Sequence, residues 1–228
     1  MGPLHITPLI DQTLLRAEAT VAAIDQLCAY SLRYGFAAVC VNPCYVSRCA
    51  ERLAGSSLAL ATVIGFPLGA CTSPTKKLAI EQALADGATE LDIVMNIGML
   101  KSGYVKEVGS ELQMLCSVAS DGGGTTKIIV ETPLLTLEET IMACELVIGA
   151  SADYVKTSTG LEGRIATLPA VRLLKSVVGS SIGIKAAGGI RTLDDARSFI
   201  TAGATRIGTS AGVSIADEEA TATFAGVS

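Results

Sequence analysis

The chain has 228 residues, enough for one domain with a single large core or for two small ones. Half of the residues are hydrophobic, 17% are charged, the formal net charge is −5 and no dense Lys/Arg run occurs, which argues against a nucleic-acid partner or a polybasic membrane contact. The seven cysteines form no CxxC pair and the single histidine is His5, so buried, reduced thiols are expected and a zinc site or disulfide framework is not.

In chain order, short apolar runs alternate with amphipathic stretches at a period of roughly 25–30 residues. Residues 1–15 lack the basic start and long apolar run of a secretion signal, so a cytoplasmic chain is expected. The apolar runs fall at 8–11, 37–42, 58–66, 90–96, 127–131, 153–157, 182–187 and 205–208. They are rich in Val and Ile and bounded by Gly, Pro, Asn or Thr, as buried parallel strands should be. No apolar stretch is long enough to span a membrane.

Helical segments lie between the runs. Residues 21–33 place Val21, Ile24, Leu27 and Cys28 on one face. Residues 73–85 begin Ser73-Pro74, a capping residue followed by proline at the first helical position. Thr136 and Glu139 form a capping box that opens 137–148, and Thr192 with Asp195 repeats the signal for 192–202. Residues 121–126, Asp-Gly-Gly-Gly-Thr-Thr, read as a flexible solvent loop.

Eight strand–helix units with short connections predict one (β/α)8 TIM barrel over residues 1–228. An open doubly wound sheet is the alternative. It would carry a glycine-rich first turn, and the stretch after Asp11 has no glycine.

Charges inside buried strands need a reason, because desolvating them is expensive. Asp92, Lys156 and Lys185 lie in apolar runs, toward the strand ends where barrel active sites are built, and Asp11 closes the first run in the same way. Two lysines on neighbouring strands should depress each other's pKa. Lowering a lysine from about 10.4 to about 7 takes roughly 4–5 kcal/mol and yields a neutral amine able to form a Schiff base. Lys–Asp ion bridges that merely fill the barrel are the competing explanation.

Gly188-Gly189 after the seventh strand and the turn from Gly208 to Gly212 after the eighth stand where barrels often bind phosphate, with the helix at Thr192 adding its dipole. A lone Gly-Gly more often marks a tight turn, but two such loops at these positions favour the phosphate reading. Hydroxyls of Thr157, Ser158 and Thr159 either hold substrate oxygens or cap the strand end. His5 is given no role.

Several stretches resemble the deoxyribose-phosphate aldolase family: Asp11-Gln-Thr-Leu-Leu, Val39-Cys-Val-Asn-Pro, Val63-Ile-Gly-Phe-Pro-Leu-Gly, Glu90-Leu-Asp-Ile-Val-Met-Asn-Ile-Gly, Val155-Lys-Thr-Ser-Thr-Gly, Ile184-Lys-Ala-Ala-Gly-Gly-Ile and Arg206-Ile-Gly-Thr-Ser. They run in order from about residue 9 to about residue 213. The resemblance implies reversible cleavage of 2-deoxy-D-ribose 5-phosphate to acetaldehyde and D-glyceraldehyde 3-phosphate, in deoxynucleoside catabolism, with no metal or organic cofactor. It implies that Lys156 is the Schiff-base nucleophile, that Lys185 perturbs its pKa and that Asp92 transfers protons with Lys185 and a water. It further implies that Asp11, Thr157 and Thr159 place the substrate hydroxyls, and that Gly188, Gly189, Gly208 and Ser210 hold the phosphate.

Two features depart from that pattern. Gln12 stands where the family often has histidine, and no tyrosine follows Tyr154, although some members end in one. Tuning rather than lost activity is expected from Gln12, and slower turnover, with enamine protonation resting more on Asp92 and water, from the missing tyrosine. A homodimer is expected from the apolar composition and the resemblance. A fructose-type substrate would need a second phosphate site, for which no Arg/Lys cluster is present. A silent sugar-phosphate sensor would be expected to lack one of Lys156, Lys185 and Asp92, and all three are present.

Overall fold

A computed structural model describes residues 5–225, with side chains described for 5–222. The expectations touching residues 1–4 and the tyrosine-free end at 226–228 lie outside the described residues. The strands are β1 (Ile10–Leu14), β2 (Ala38–Val41), β3 (Ala59–Ile64), β4 (Glu90–Val94), β5 (Thr125–Ile129), β6 (Tyr154–Lys156), β7 (Gly183–Ala187) and β8 (Arg206–Thr209). The helices are α1 (Val21–Tyr34), α2 (Val46–Leu53), α3 (Ser73–Ala85), α4 (Ile97–Lys101), α5 (Val105–Asp121), α6 (Leu137–Gly149), α7 (Leu168–Val178), α8 (Leu193–Thr201) and α9 (Gly212–Ala225). The strands close into a parallel barrel in chain order, with β8 paired back onto β1. The predicted (β/α)8 barrel is the observed fold.

Strand alternation divides the core in two. Ile10, Val39, Val41, Leu60, Leu91, Ile93, Ile128, Val155, Ile184 and Ile207 belong to the large cluster between barrel and helices. Ala38, Cys40, Ala61 and Val63 form a separate small cluster on β2 and β3 inside the barrel. The rest of the interior is ionic. The inward positions of β1, β4, β5, β6, β7 and β8 carry Asp11, Glu90 and Asp92, Lys127, Lys156, Lys185 and Arg206, joined in contacts described below. Among the described residues no helix is long and apolar enough to cross a membrane.

Three local expectations are corrected. Asp11 does not close β1; it is the second residue of a strand that runs on to Leu14. Residues Thr7–Leu9, with Pro8, form a 3-10 turn instead, because proline lacks the N–H that pairing requires. Ser73 is not the cap of α3. Thr72 holds that position and the Ser73 hydroxyl donates to Glu111. The loop expected over 121–126 is shorter: α5 ends at Asp121, an exposed turn follows at Gly122 and Gly123, β5 starts at Thr125, and Gly122 and Gly124 pack against Leu84, where a Cβ would come within 2.6 and 2.8 Å of its methyl carbons. The capping boxes at Thr136 and Thr192 form as expected.

Candidate active site

The parallel register sets Lys156 beside Lys185, Lys185 beside Arg206, and Asp92 beside Lys127. Their side chains meet inside the barrel. The Lys156 ammonium lies 2.6 Å from Asp92 Oδ2, and Lys185 lies 2.7 Å from the same oxygen and 2.5 Å from Asp11. Lys127 contacts Glu90 at 2.5 Å and the other Asp92 oxygen at 3.1 Å. Arg206 donates to Asp11 at 2.7 Å, reaches Glu90 at 3.4 Å and lies over the Tyr154 ring. All of these side chains are buried or nearly so; Arg206, at 15% exposed, is the most open.

The consequences for protonation differ from lysine to lysine. Burial is the main influence that lowers the Lys156 pKa; Asp92 opposes it and Lys185 adds to it. Burial disfavours the Lys185 cation too, but Asp11 and Asp92 together more than offset this and raise its pKa. Lys127 behaves likewise: burial is outweighed by Asp92, Asp11 and Glu90. Asp92 is held well below the usual carboxylate range, since its three lysine neighbours outweigh its burial. Asp11 is lowered to about 2 by Lys185, Lys127 and Arg206, again against the effect of burial. Cys40 faces the same group and burial pushes its thiol up to about 11.

The expectation that two lysines depress one another therefore holds for only one of them. Lys185 is a stabilised cation and Lys156 is the amine more readily neutral. Both are buried, and the carboxylates make the difference: Lys185 touches Asp11 and Asp92, Lys156 touches Asp92 alone among the described residues, and repulsion by Lys185 lowers Lys156 further. Sequence reasoning missed Glu90, Lys127 and Arg206. The two-residue spacing of Glu90 and Asp92 on one strand was the available signal for the first of them.

The expected substrate contacts are spread around the C-terminal ends of β6, β7 and β8. The Thr157 hydroxyl accepts from Ala187 N and donates to Ala187 O, and Ser158 donates to the same carbonyl, so both tie β6 to β7. Thr159 N donates to the buried Glu131 carboxylate, and Arg164 approaches that carboxylate at 3.7 Å. Neither Glu131 nor Arg164 was anticipated. Gly188 and Gly189 have φ of 94° and 80°, and a Cβ on Gly188 would meet the Arg164 carbonyl at 2.8 Å, so this turn demands glycine.

Two parts of the expected phosphate site are placed differently. Gly208 lies within β8, not after it. The start of α8 is already capped: Asp195 accepts from Arg191 N and Thr192 N, and Glu218 accepts from Leu193 N. Ser210 is exposed on the turn into α9. Gln12 latches that turn to β1, donating to Ser210 O and accepting from Gly212 N.

A family model described as DeoC/LacD family aldolase matches residues 6–217. A deoxyribose-phosphate aldolase of Streptococcus uberis is 49% identical over 217 residues, covering 95% of this chain and 98% of that protein. Deoxyribose-phosphate aldolase 1 of Bacillus licheniformis is 49% identical over 211 residues, covering 92% of this chain and 94% of that protein. Among solved structures, a deoxyribose phosphate aldolase from Aeropyrum pernix, described as a unique tetramer, superposes with a TM-score of 0.87 at 32% identity, covering 93% of this chain and 89% of that one.

Proposed function

The chain belongs to the DeoC/LacD family of aldolases, and on that premise we propose that it cleaves 2-deoxy-D-ribose 5-phosphate reversibly through a Schiff base on Lys156. The observation that carries this reading is the pair of unlike lysines on one carboxylate. Lys156 is buried with a lowered pKa, and beside it Lys185 is a persistent cation, both within 2.7 Å of Asp92 Oδ2.

The neutral Lys156 amine attacks the C1 aldehyde, a C–N bond forms, and the carbonyl oxygen leaves as water after protonation. A base removes the C3 hydroxyl proton. The C2–C3 bond breaks, its electron pair moves into the iminium as an enamine, and glyceraldehyde 3-phosphate departs. The enamine takes a proton at C2, and water releases acetaldehyde and the free amine. Asp92 and Lys185 are suited to these proton transfers through a water, because they touch each other and Lys156 contacts the same carboxylate oxygen. Asp11 holds Lys185 in place. In this reading the sugar hydroxyls lie against Thr157 and Thr159, and the phosphate against Gly188, Gly189, Ser210 and the end of β8 at Gly208. The chain works as a cytoplasmic homodimer without a metal or organic cofactor, and sedimentation would distinguish that dimer from a tetramer.

Incubation with acetaldehyde, borohydride reduction and peptide mass mapping tests the nucleophile. One ethyl group on Lys156 is expected, and Lys156→Ala should abolish both the adduct and turnover while keeping the far-UV spectrum. An adduct spread over surface lysines, or turnover by the Lys156→Ala variant, would remove the reading. Tight binding of the sugar phosphate without turnover by the parent protein would favour a sensor.

A further inference from the structure

The ionic interior holds more cations than it can balance. Its basic groups are Lys127, Lys156, Lys185 and Arg206; its acids are Asp11, Glu90 and Asp92. Four bases face three carboxylates. In a poorly solvated interior an unbalanced charge is expensive, and the ordinary outcome is that one group gives up its charge.

The contacts show which group that is. Lys185 touches two carboxylates, Asp11 and Asp92. Arg206 also touches two, Asp11 and Glu90. Lys127 touches Glu90 and Asp92 closely and Asp11 at 3.7 Å. Among the described residues Lys156 is ion-paired only with Asp92, through an oxygen it shares with Lys185. Lys156 is therefore the surplus base, at the end of a chain of ion pairs. The other end is Glu90 and Arg206, the first residues of β4 and β8, on the opposite mouth of the barrel.

We propose that Glu90 and Arg206 are positioning residues that set the neutral fraction of Lys156 from the far end of the barrel, Glu90 by competing with Asp92 for Lys127, and Arg206 by competing with Lys185 for Asp11 and with Lys127 for Glu90. The inference rests on Lys156 being the Schiff-base nucleophile. Neither residue reaches the reacting atoms. Their influence passes through Lys127, Asp11 and Lys185 to Asp92.

The sign follows from the competition. Without the Glu90 charge, Lys127 leans on Asp92, which then holds the Lys156 cation less well, so the amine is neutral at lower pH. Without the Arg206 charge, Asp11 and Glu90 are released to Lys185 and Lys127, which relax their hold on Asp92. The Lys156 cation is then better held, and the amine becomes neutral only at higher pH. Removing both charges restores the one-base surplus.

The other groups around Lys156 do not substitute for this pair. Asp92 on β4 and Lys185 on β7 are already in the chain of contacts. Cys40 on β2 is a neutral thiol with its pKa at about 11, and Ile129 is the register neighbour on β5. Glu131, beyond the end of β5, is turned to Thr159 N and Arg164.

The test measures the rate of acetaldehyde adduct formation on Lys156, trapped with cyanoborohydride, as a function of pH. The proteins are the parent, Glu90→Gln, Arg206→Gln and the double variant. The midpoint is expected to fall by roughly 0.5–1 pH unit in Glu90→Gln and to rise by roughly as much in Arg206→Gln, as for single charges several ångströms apart at an intermediate effective dielectric. The double variant should return to within about 0.3 unit of the parent. A slower plateau with an unmoved midpoint would mean that the pair is merely structural and would overturn the inference, as would shifts of the same sign. Because each sign is set in advance, either single variant decides alone if the other fails to fold. An absent adduct in the parent would overturn the proposed function itself, whereas a titrating parent with unshifted variants overturns only this inference.

Discussion

Gly208 shows how a residue with no side chain can govern one that has a role. It lies on β8 opposite Asp11 on one side and Ala187 on the other. A Cβ there would stand 3.0 Å from Lys185 Cε and 3.0 Å from Ala187 Cβ. The Ala187 methyl belongs to a paired strand and yields little, so the Lys185 stem has to move. Its ammonium is held at 2.5 and 2.7 Å by two carboxylates, and a displacement of a few tenths of an ångström strains both contacts. Gly208→Ala is expected to lower kcat/KM by roughly ten- to a hundredfold, the scale of small misplacements in catalytic groups, with a stability loss of only about 1 kcal/mol. Steady-state kinetics beside urea unfolding checks this; an unchanged kcat/KM would mean that the Lys185 position is not critical. The sequence alone suggested a backbone role in phosphate binding for Gly208. It offered no way to see the lysine stem passing across the glycine, because that contact joins β7 to β8 through the barrel interior.

At the scale of elements, α3 and α5 are pinned to the end of β4 by one buried ion pair. Lys76 donates to Glu111 at 2.6 Å and to the Val94 carbonyl at 3.0 Å, and the two side chains are 0% and 8% exposed. The Ser73 hydroxyl also donates to Glu111. Removing one partner strands the other in the interior, so Lys76→Met is expected to cost about 3–5 kcal/mol in urea unfolding. The Lys76→Met/Glu111→Leu double variant should recover most of that loss. A single-variant loss below about 1 kcal/mol would mean that the pair is solvated and dispensable. The pairing was hidden in the sequence, where Lys76 and Lys77 stand together and only one of them is buried. The strand–helix alternation, in contrast, was legible throughout, since buried parallel strands and capped helices each leave a local pattern. Asp92, Lys156 and Lys185 were legible because they are charges set among apolar neighbours. Glu90 and Arg206 were not, because they are the first residues of their strands, where a polar residue looks like a boundary, and Lys127, in the middle of β5, follows two threonines and looks like one too. Only barrel closure brings them onto Asp11 and Asp92. The true extent of β1 was obscured in the same way, its Asp11-Gln12-Thr13 being too polar to read as a strand.

For the molecule as a whole, the ionic interior links folding to pH at both the acid and the alkaline end. At the alkaline end Lys156 acts with the opposite sign to Lys127 and Lys185, whose pKa values are raised and whose contributions are lost above the ordinary lysine range. Asp11 and Asp92 have folded pKa values below their unfolded ones. Such a carboxylate stabilises the fold fully above the unfolded pKa, and the contribution is lost as pH falls through the folded one. For Asp11 the window runs from about 3.8 down to about 2, which corresponds to about 2 kcal/mol. Lys156 has the opposite charge type with its pKa also depressed, so its contribution appears only as pH rises toward the unfolded lysine value near 10.4 and does not overlap the acid window. The parent protein is therefore expected to lose stability steeply between about pH 4 and pH 2. Asp11→Asn should differ in two ways at once. At pH 7 it should be less stable by about 3 kcal/mol, because Lys185 and Arg206 each lose a carboxylate in a buried site. Between pH 4 and pH 3 it should lose stability less steeply than the parent, because an amide has no proton to take up there. Urea midpoints at pH 7, 4 and 3 read both effects. Parallel curves for the two proteins would show that Asp11 titrates alike in the folded and unfolded chains, and that the ion pairs lining the barrel do not link its stability to acid.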